Sequence, residues 1–327
     1  MHGSDWSVAW LDCSLSPDNL GRRKLATSGD QETPVSHVAE ATAVEEPALT
    51  GVRIDIESKS FPVHLNIDNE RVPFHGDLSN WEHFEGAVLA IGIRGEKYLE
   101  VVGSAVLVGP GIALAARHVF TDHMSELESG KFSCFAFGIS PEGGVLWSVK
   151  HLHGDASDVV ILALKPASRV QSKIVSAVIA SDPPAIGEKI MLVGFRAAKV
   201  EGNSMEMAAT AELLVSVGHV AEVFPEGRDR VMLPFPCVEV RCKSVGGMSG
   251  GAAFDTSGNL FGILTSSFDG HEGPSHQGPS YVSLLHTALD RPIENLGMNF
   301  DLTMPCTLRD FHARKLLAIA DGRRDAG

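Results

Sequence analysis

Residues 103–120 read GSAVLVGPGIALAARHVF and overlap the longest uncharged, mostly apolar run of the chain, Val101 to Ala116, between Glu100 and Arg117. A helix that crosses a membrane needs about 20 such residues. This run is shorter and contains Gly103, Gly109, Pro110 and Gly111. Glycine and proline punctuate regular structure, so the run divides into two strands joined by a Gly-Pro-Gly turn. The second strand, IALAA, ends one residue before Arg117-His118.

Similar short runs recur on both sides. AVLAIGI starts at Ala87, YLEVVGSAVLV at Tyr98, CFAFGI at Cys134, VLWSV at Val145 and VVILAL at Val159. A second series has KIMLVGF at Lys189, MAATAELLVSV at Met207, GHVAEVF at Gly218 and CVEVRC at Cys237. It closes with GAAF at Gly251, LFGILTS at Leu260 and YVSLL at Tyr281. Short strands separated by Gly, Pro, Asp and Ser predict an all-β protein of barrel or sandwich type. A polar break from Pro166 to Pro184 divides the runs into two similar β units, about 84–166 and 185–290. Residues 1–83 read as a leader, without period and rich in Ser, Thr, Asp and Glu to about residue 50, with weak strand alternation after it. RDFHARKLLAIADGRR, from Arg309, reads as one terminal amphipathic helix with a basic end.

The whole chain has 327 residues, 44% of them hydrophobic, and a formal net charge of −14. A field of that sign repels phosphate backbones and anionic lipid, so neither nucleic acid nor a membrane is expected as partner. The first twenty residues lack a basic start and an apolar stretch, which predicts no secretory signal and a cytoplasmic protein. The five cysteines form no regular framework; Cys237 and Cys242 are close enough in sequence to pair, but reduced thiols are expected in that compartment.

Chemistry concentrates at Gly247-Met248-Ser249-Gly250-Gly251. A nucleophilic hydroxyl must stand clear of the backbone, with N–H groups converging where an oxyanion develops. Glycines permit the positive φ and close approach this needs; Gly247 and Ser249 would donate the N–H groups. By itself the pentad is equally a glycine-rich turn. His118 follows a buried strand and Asp158 precedes another, VVILAL, where a carboxylate can fix an imidazole tautomer. Each alone reads as well as a structural residue. His151-Leu152-His153 places two imidazoles on one strand face, with Asp155 near as a third ligand, but neither a paired cysteine nor a carboxylate–histidine helix motif of a zinc site accompanies them. No phosphate-binding loop is present, and neither metal nor cofactor is expected.

Taken together, the segments around these residues resemble the chymotrypsin-like (trypsin-fold) serine peptidases, in particular intracellular and bacterial branches such as the high-temperature-requirement proteases. GSAVLVGPGIALAARHVF is similar to their stretch around the histidine, DASDVVILAL to that around the aspartate, and VGGMSGGAAFDTSGNLFGILTSS from Val245 to that around the serine. The resemblance covers about residues 84–290 and implies two six-stranded antiparallel β-barrels with the active site between them. It implies His118 as general base, Asp158 as its orienting partner, Ser249 as nucleophile, and Gly247 and Ser249 as oxyanion donors. The expected activity is hydrolysis of a protein or peptide. A catalytically silent peptide-binding module and a protease that cuts once, on itself or a fixed partner, are the alternatives.

By the family's spacing, Lys243 would lie near the base of the primary pocket, with Thr265, Ser266 and Ser267 on its wall. A lysine there favours an acidic substrate side chain; alternatively it reaches solvent and the pocket takes a small or apolar residue. The chain departs from the family in four ways. Met248 stands where many digestive members have an aspartate. Arg117 occupies a position usually small or polar. The secreted members' disulfides are missing, and only residues 286–327 follow the core, without a peptide-binding domain.

Overall fold

The computed structural model describes residues 56–61, 84, 86–96, 98–140, 143–154, 157–167, 174–202, 207–267, 279–293 and 306–320. A first strand, β1 (Ile56–Lys59), precedes six that build one barrel: β2 (Val88–Gly95), β3 (Tyr98–Gly109), β4 (Ile112–Ala116), β5 (Ser133–Ser140), β6 (Gly143–Gly154) and β7 (Val159–Pro166). Two short helices, α1 (His118–Thr121) and α2 (Met124–Glu128), fill the β4–β5 connection. The barrel closes in the order β2-β3-β4-β7-β6-β5. Strand β4 is buried along its whole length, with Ile112 and Leu114 on one face and Ala113 and Ala115 on the other.

The segment between the barrels carries β8 (Ile174–Ala177) and β9 (Ile179–Ala180). The second barrel follows, with β10 (Lys189–Gly202), β11 (Met207–Phe224), β12 (Cys237–Arg241), β13 (Ala252–Phe254), β14 (Leu260–Ser267) and β15 (Ser280–Leu284). Strand β13 pairs with both β10 and β14, which closes the ring β10-β11-β12-β15-β14-β13. The fold is therefore the double antiparallel barrel of the chymotrypsin type. One continuous apolar core joins the barrels: Val193, Phe195, Phe254 and Ile263 of the second pack in the same cluster as Leu107, Leu114 and Leu162 of the first. That shared core fixes the floor of the junction, where the functional residues lie.

Two sequence expectations change. The runs at Met207 and Gly218 are one 18-residue strand, β11, bulged between Val220 and Glu222. Gly218 does not break it; a Cβ there would lie 2.2 Å from the Arg241 carbonyl oxygen, so glycine is required by the close approach of β12. The terminal helix is shorter than expected. It is α3 (Leu308–Ala313), opened by a capping box in which Thr307 and Asp310 bond each other's backbone N–H. It ends at Lys315, whose φ of 60° is left-handed. Leu317 and Ile319 then pack into the core, and Ile319–Ala320 form β16 instead of further helical turns.

Both flanks of the barrels return to the segment between them. β1 pairs in parallel with β8, and β16 in parallel with β9. After β1, Phe61 is fully buried against Phe84 and Phe254, with ring centroids 5.5 and 5.4 Å away. Its N–H donates to the Gly258 carbonyl at 2.7 Å. Residues 1–55, and the strand-like pattern read at Val63–Ile67, lie outside the described residues. No helix among the described residues is long and apolar enough to cross a membrane.

Candidate active site

His118 and Asp158 meet because β4 and β7 are antiparallel neighbours. Ala116 pairs with Val159, so the exit of β4 lies beside the entry of β7. The ladder continues one step further: Arg117 N–H donates to the Asp158 carbonyl. At the next residue the Asp158 side chain takes over from the main chain. Its Oδ1 accepts the His118 backbone N–H at 3.0 Å, and its Oδ2 lies 2.8 Å from His118 Nδ1. An ionised carboxylate only accepts, so Nδ1 carries the proton, and in the neutral ring this tautomer leaves the lone pair on Nε2. The Asp158 side chain is 8% exposed against 43% for His118. The carboxylate is thus held inside while the imidazole edge reaches the solvent of the cleft. Ser157 supports the turn, its Oγ accepting from Val159 N–H at 3.2 Å and from Arg291 at 3.3 Å.

Ser249 comes from the second barrel, on the loop between β12 and β13. Met248 N–H donates to the Val245 carbonyl at 3.1 Å and Gly247 has φ 94°, which makes Val245–Met248 a turn requiring glycine at its third position. The loop is anchored below by the Met248 side chain, fully buried in the core of the second barrel. Met248, at the position where many digestive members of the resembled family have an aspartate, is therefore an apolar plug. On the other side, Gly250 N–H donates to Leu264 O at 2.8 Å and Gly251 N–H to Met248 O at 2.9 Å. The N–H groups of Gly247 and Ser249 have no acceptor among the described residues, and both residues line the cleft.

That cleft has a volume of about 370 Å³ and runs along the barrel junction. His118 and Ser249 face it from opposite barrels, and no hydrogen bond joins them among the described residues. Beyond them its wall holds Glu100, Asp122, His123 and Arg196. Glu100 accepts from the Tyr98 hydroxyl and lies 3.9 Å from His123 Nε2. Burial first, and the Glu100 carboxylate second, push the Tyr98 phenol up to about 12.

Lys243 and Thr265 are not among the residues lining this cleft. Thr265 is buried, and its hydroxyl lies 2.6 Å from that of Ser283 inside the second barrel. Ser266 and Ser267 lie on β14, and their side chains fall outside the described set. Among the described residues no group of three or more His, Cys, Asp or Glu is placed to hold a metal; Asp155 lies outside them. Cys237 and Cys242 are free, with no bond between them. The sequence reading singled out neither the Met248 plug nor the wall at Glu100, Asp122, His123 and Arg196, since each depends on contacts between distant parts of the chain.

Residues 103–263 match the family model described as a trypsin-like peptidase domain. Among solved structures, Deg5 is 15% identical, with 64% of this chain and 89% of that one covered and a TM-score of 0.45. The HtrA-type protease AlgW, solved with a decapeptide, is 18% identical over 65% of this chain and 66% of its own, with a TM-score of 0.45. The MamO protease domain from Magnetospirillum magneticum is 13% identical over 62% and 94%, with a TM-score of 0.42. No curated protein matches the chain.

Proposed function

We propose, on the match of residues 103–263 to a trypsin-like peptidase domain, that the chain is a serine endopeptidase working through an acyl-enzyme on Ser249. His118 Nε2 takes the hydroxyl proton as Ser249 Oγ attacks the scissile carbonyl, then gives it to the departing amine. Asp158 holds the imidazole in the required tautomer and offsets its positive charge without itself taking the proton. The N–H groups of Gly247 and Ser249 receive the carbonyl oxygen as it becomes an oxyanion. Water, deprotonated by His118, then releases the acyl group and restores Ser249.

The observation that carries this reading is one cleft with two faces: the bonded His118–Asp158 pair on one, and on the other Ser249 beside two N–H donors that have no acceptor among the described residues. The separation of Ser249 from His118 is compatible with catalysis. Hydrogen bonds between catalytic groups are commonly long without substrate and shorten in the complex. The same separation favours a second reading, a cleft that holds a peptide without cutting it. A fluorophosphonate probe distinguishes them. Labelling of the wild-type chain that disappears in Ser249→Ala supports the peptidase; folded wild-type protein that takes no label supports the binding module.

A further inference from the structure

Ser104, on β3 of the first barrel, is fully buried and contacts three residues of the second barrel, Phe195, Gly247 and Ser249. Its backbone N–H donates to the carbonyl of Ser249 at 2.8 Å. Its hydroxyl accepts from Phe195 N–H, on β10, at 2.7 Å. The single hydroxyl proton has two acceptors within reach, Phe195 O at 3.4 Å and Gly247 O at 3.5 Å. Two glycines allow this approach: a Cβ on Gly103 would stand 2.8 Å from Ser249 O, and one on Gly250 would stand 2.1 Å from Ser104 O.

Resting on the serine-peptidase reading, we propose that Ser104 is a positioning residue that aims the Gly247 and Ser249 N–H donors at the developing oxyanion. Gly246 and Gly247 are adjacent and have no side chains to restrict their torsions, so hydrogen bonds must set the orientation of these peptide planes. The Gly247–Met248 peptide lies between the amides that carry the two donors, and Met248 N–H to Val245 O restrains its N–H end. Its carbonyl end, Gly247 O, is within reach of the Ser104 hydroxyl at 3.5 Å. Both acceptors of the Ser104 proton are at long range, so at rest the proton is committed to neither. It settles on Gly247 O as negative charge gathers beside that turn, so the restraint strengthens in the transition state and acts on turnover.

Ser104→Ala keeps the N–H bond to Ser249 and removes only the hydroxyl. With active sites counted by burst titration, kcat per site is expected to fall roughly 10- to 100-fold, the scale of a misplaced catalytic group. KM should stay within about twofold, and the pH profile should be unchanged because the His118–Asp158 pair is untouched. Ser104→Thr, which restores a hydroxyl, should recover most of the loss; it also keeps the test open should the alanine variant fold poorly. Titrated Ser104→Ala that turns over at the wild-type rate overturns the proposal and leaves the serine-peptidase reading standing. Wild-type protein that neither labels nor turns over overturns both.

Discussion

At the scale of single residues, both oxygens of Asp158 are committed to His118, one to its backbone and one to its ring. An asparagine cannot reproduce this. Its amide has one accepting oxygen, so its NH2 must face either the His118 N–H or the ring, and the ring tautomer that accepts at Nδ1 places the proton on Nε2. Asp158→Asn should therefore fold with little change in melting temperature while kcat falls by about 10⁴. Wild-type kinetics would remove Asp158 from the mechanism. His118, Asp158 and Ser249 are legible in sequence because each sits in a local signature: a strand end, a strand start and a glycine-rich turn. Ser104 lies in plain view in the first of these stretches, yet its role depends on Phe195 and Gly247, 91 and 143 residues away. Met248 is similar. Its identity is visible in sequence, whereas its burial follows from how the second barrel closes beneath it.

Among the elements, period-2 patterns and glycine turns place nearly every barrel strand within a few residues of its position. The misreadings share one cause. Gly218 and the Leu316–Ala320 stretch were interpreted from local propensity, but tertiary contacts decide them: the Arg241 carbonyl in the first case, and core burial of Leu317 and Ile319 in the second. β1 lies beyond what its alternation could reveal, since its parallel partner, β8, is more than a hundred residues away. Its energetic weight falls on Phe61. Truncating a fully buried aromatic costs about 3 kcal/mol or more through lost transfer energy and a residual cavity. Phe61→Ala should lower the free energy of unfolding by about that amount in urea titrations and leave kcat unaltered. A variant as stable as wild type would mean that Phe84 and Phe254 close the gap unaided.

For the molecule as a whole, the shared core makes stability a property of both barrels together, and His286 ties it to pH. This residue follows β15, its Nδ1 is buried without a partner among the described residues, and burial lowers its pKa below the ordinary 6.5, with Asp182 partly opposing. The unfolded chain therefore binds a proton more readily than the folded one. The stabilisation is complete above pH 6.5, is lost as pH falls from there to the lowered folded value, and declines no further below it. Urea midpoints should drop between pH 8 and pH 5, and His286→Phe should reduce that drop. An equal drop in the variant would assign the pH dependence to other groups.

The bond from Ser104 N–H to Ser249 O means that the Ser249 loop is completed by the half of the protein that does not encode it. On the peptidase reading proposed above, the chain cut within the connection between the two barrels would yield two silent fragments, one keeping His118 and the other Ser249. Fused to two proteins of interest, the fragments would act as a complementation reporter, releasing a chromogenic product only when the fused proteins bring them together.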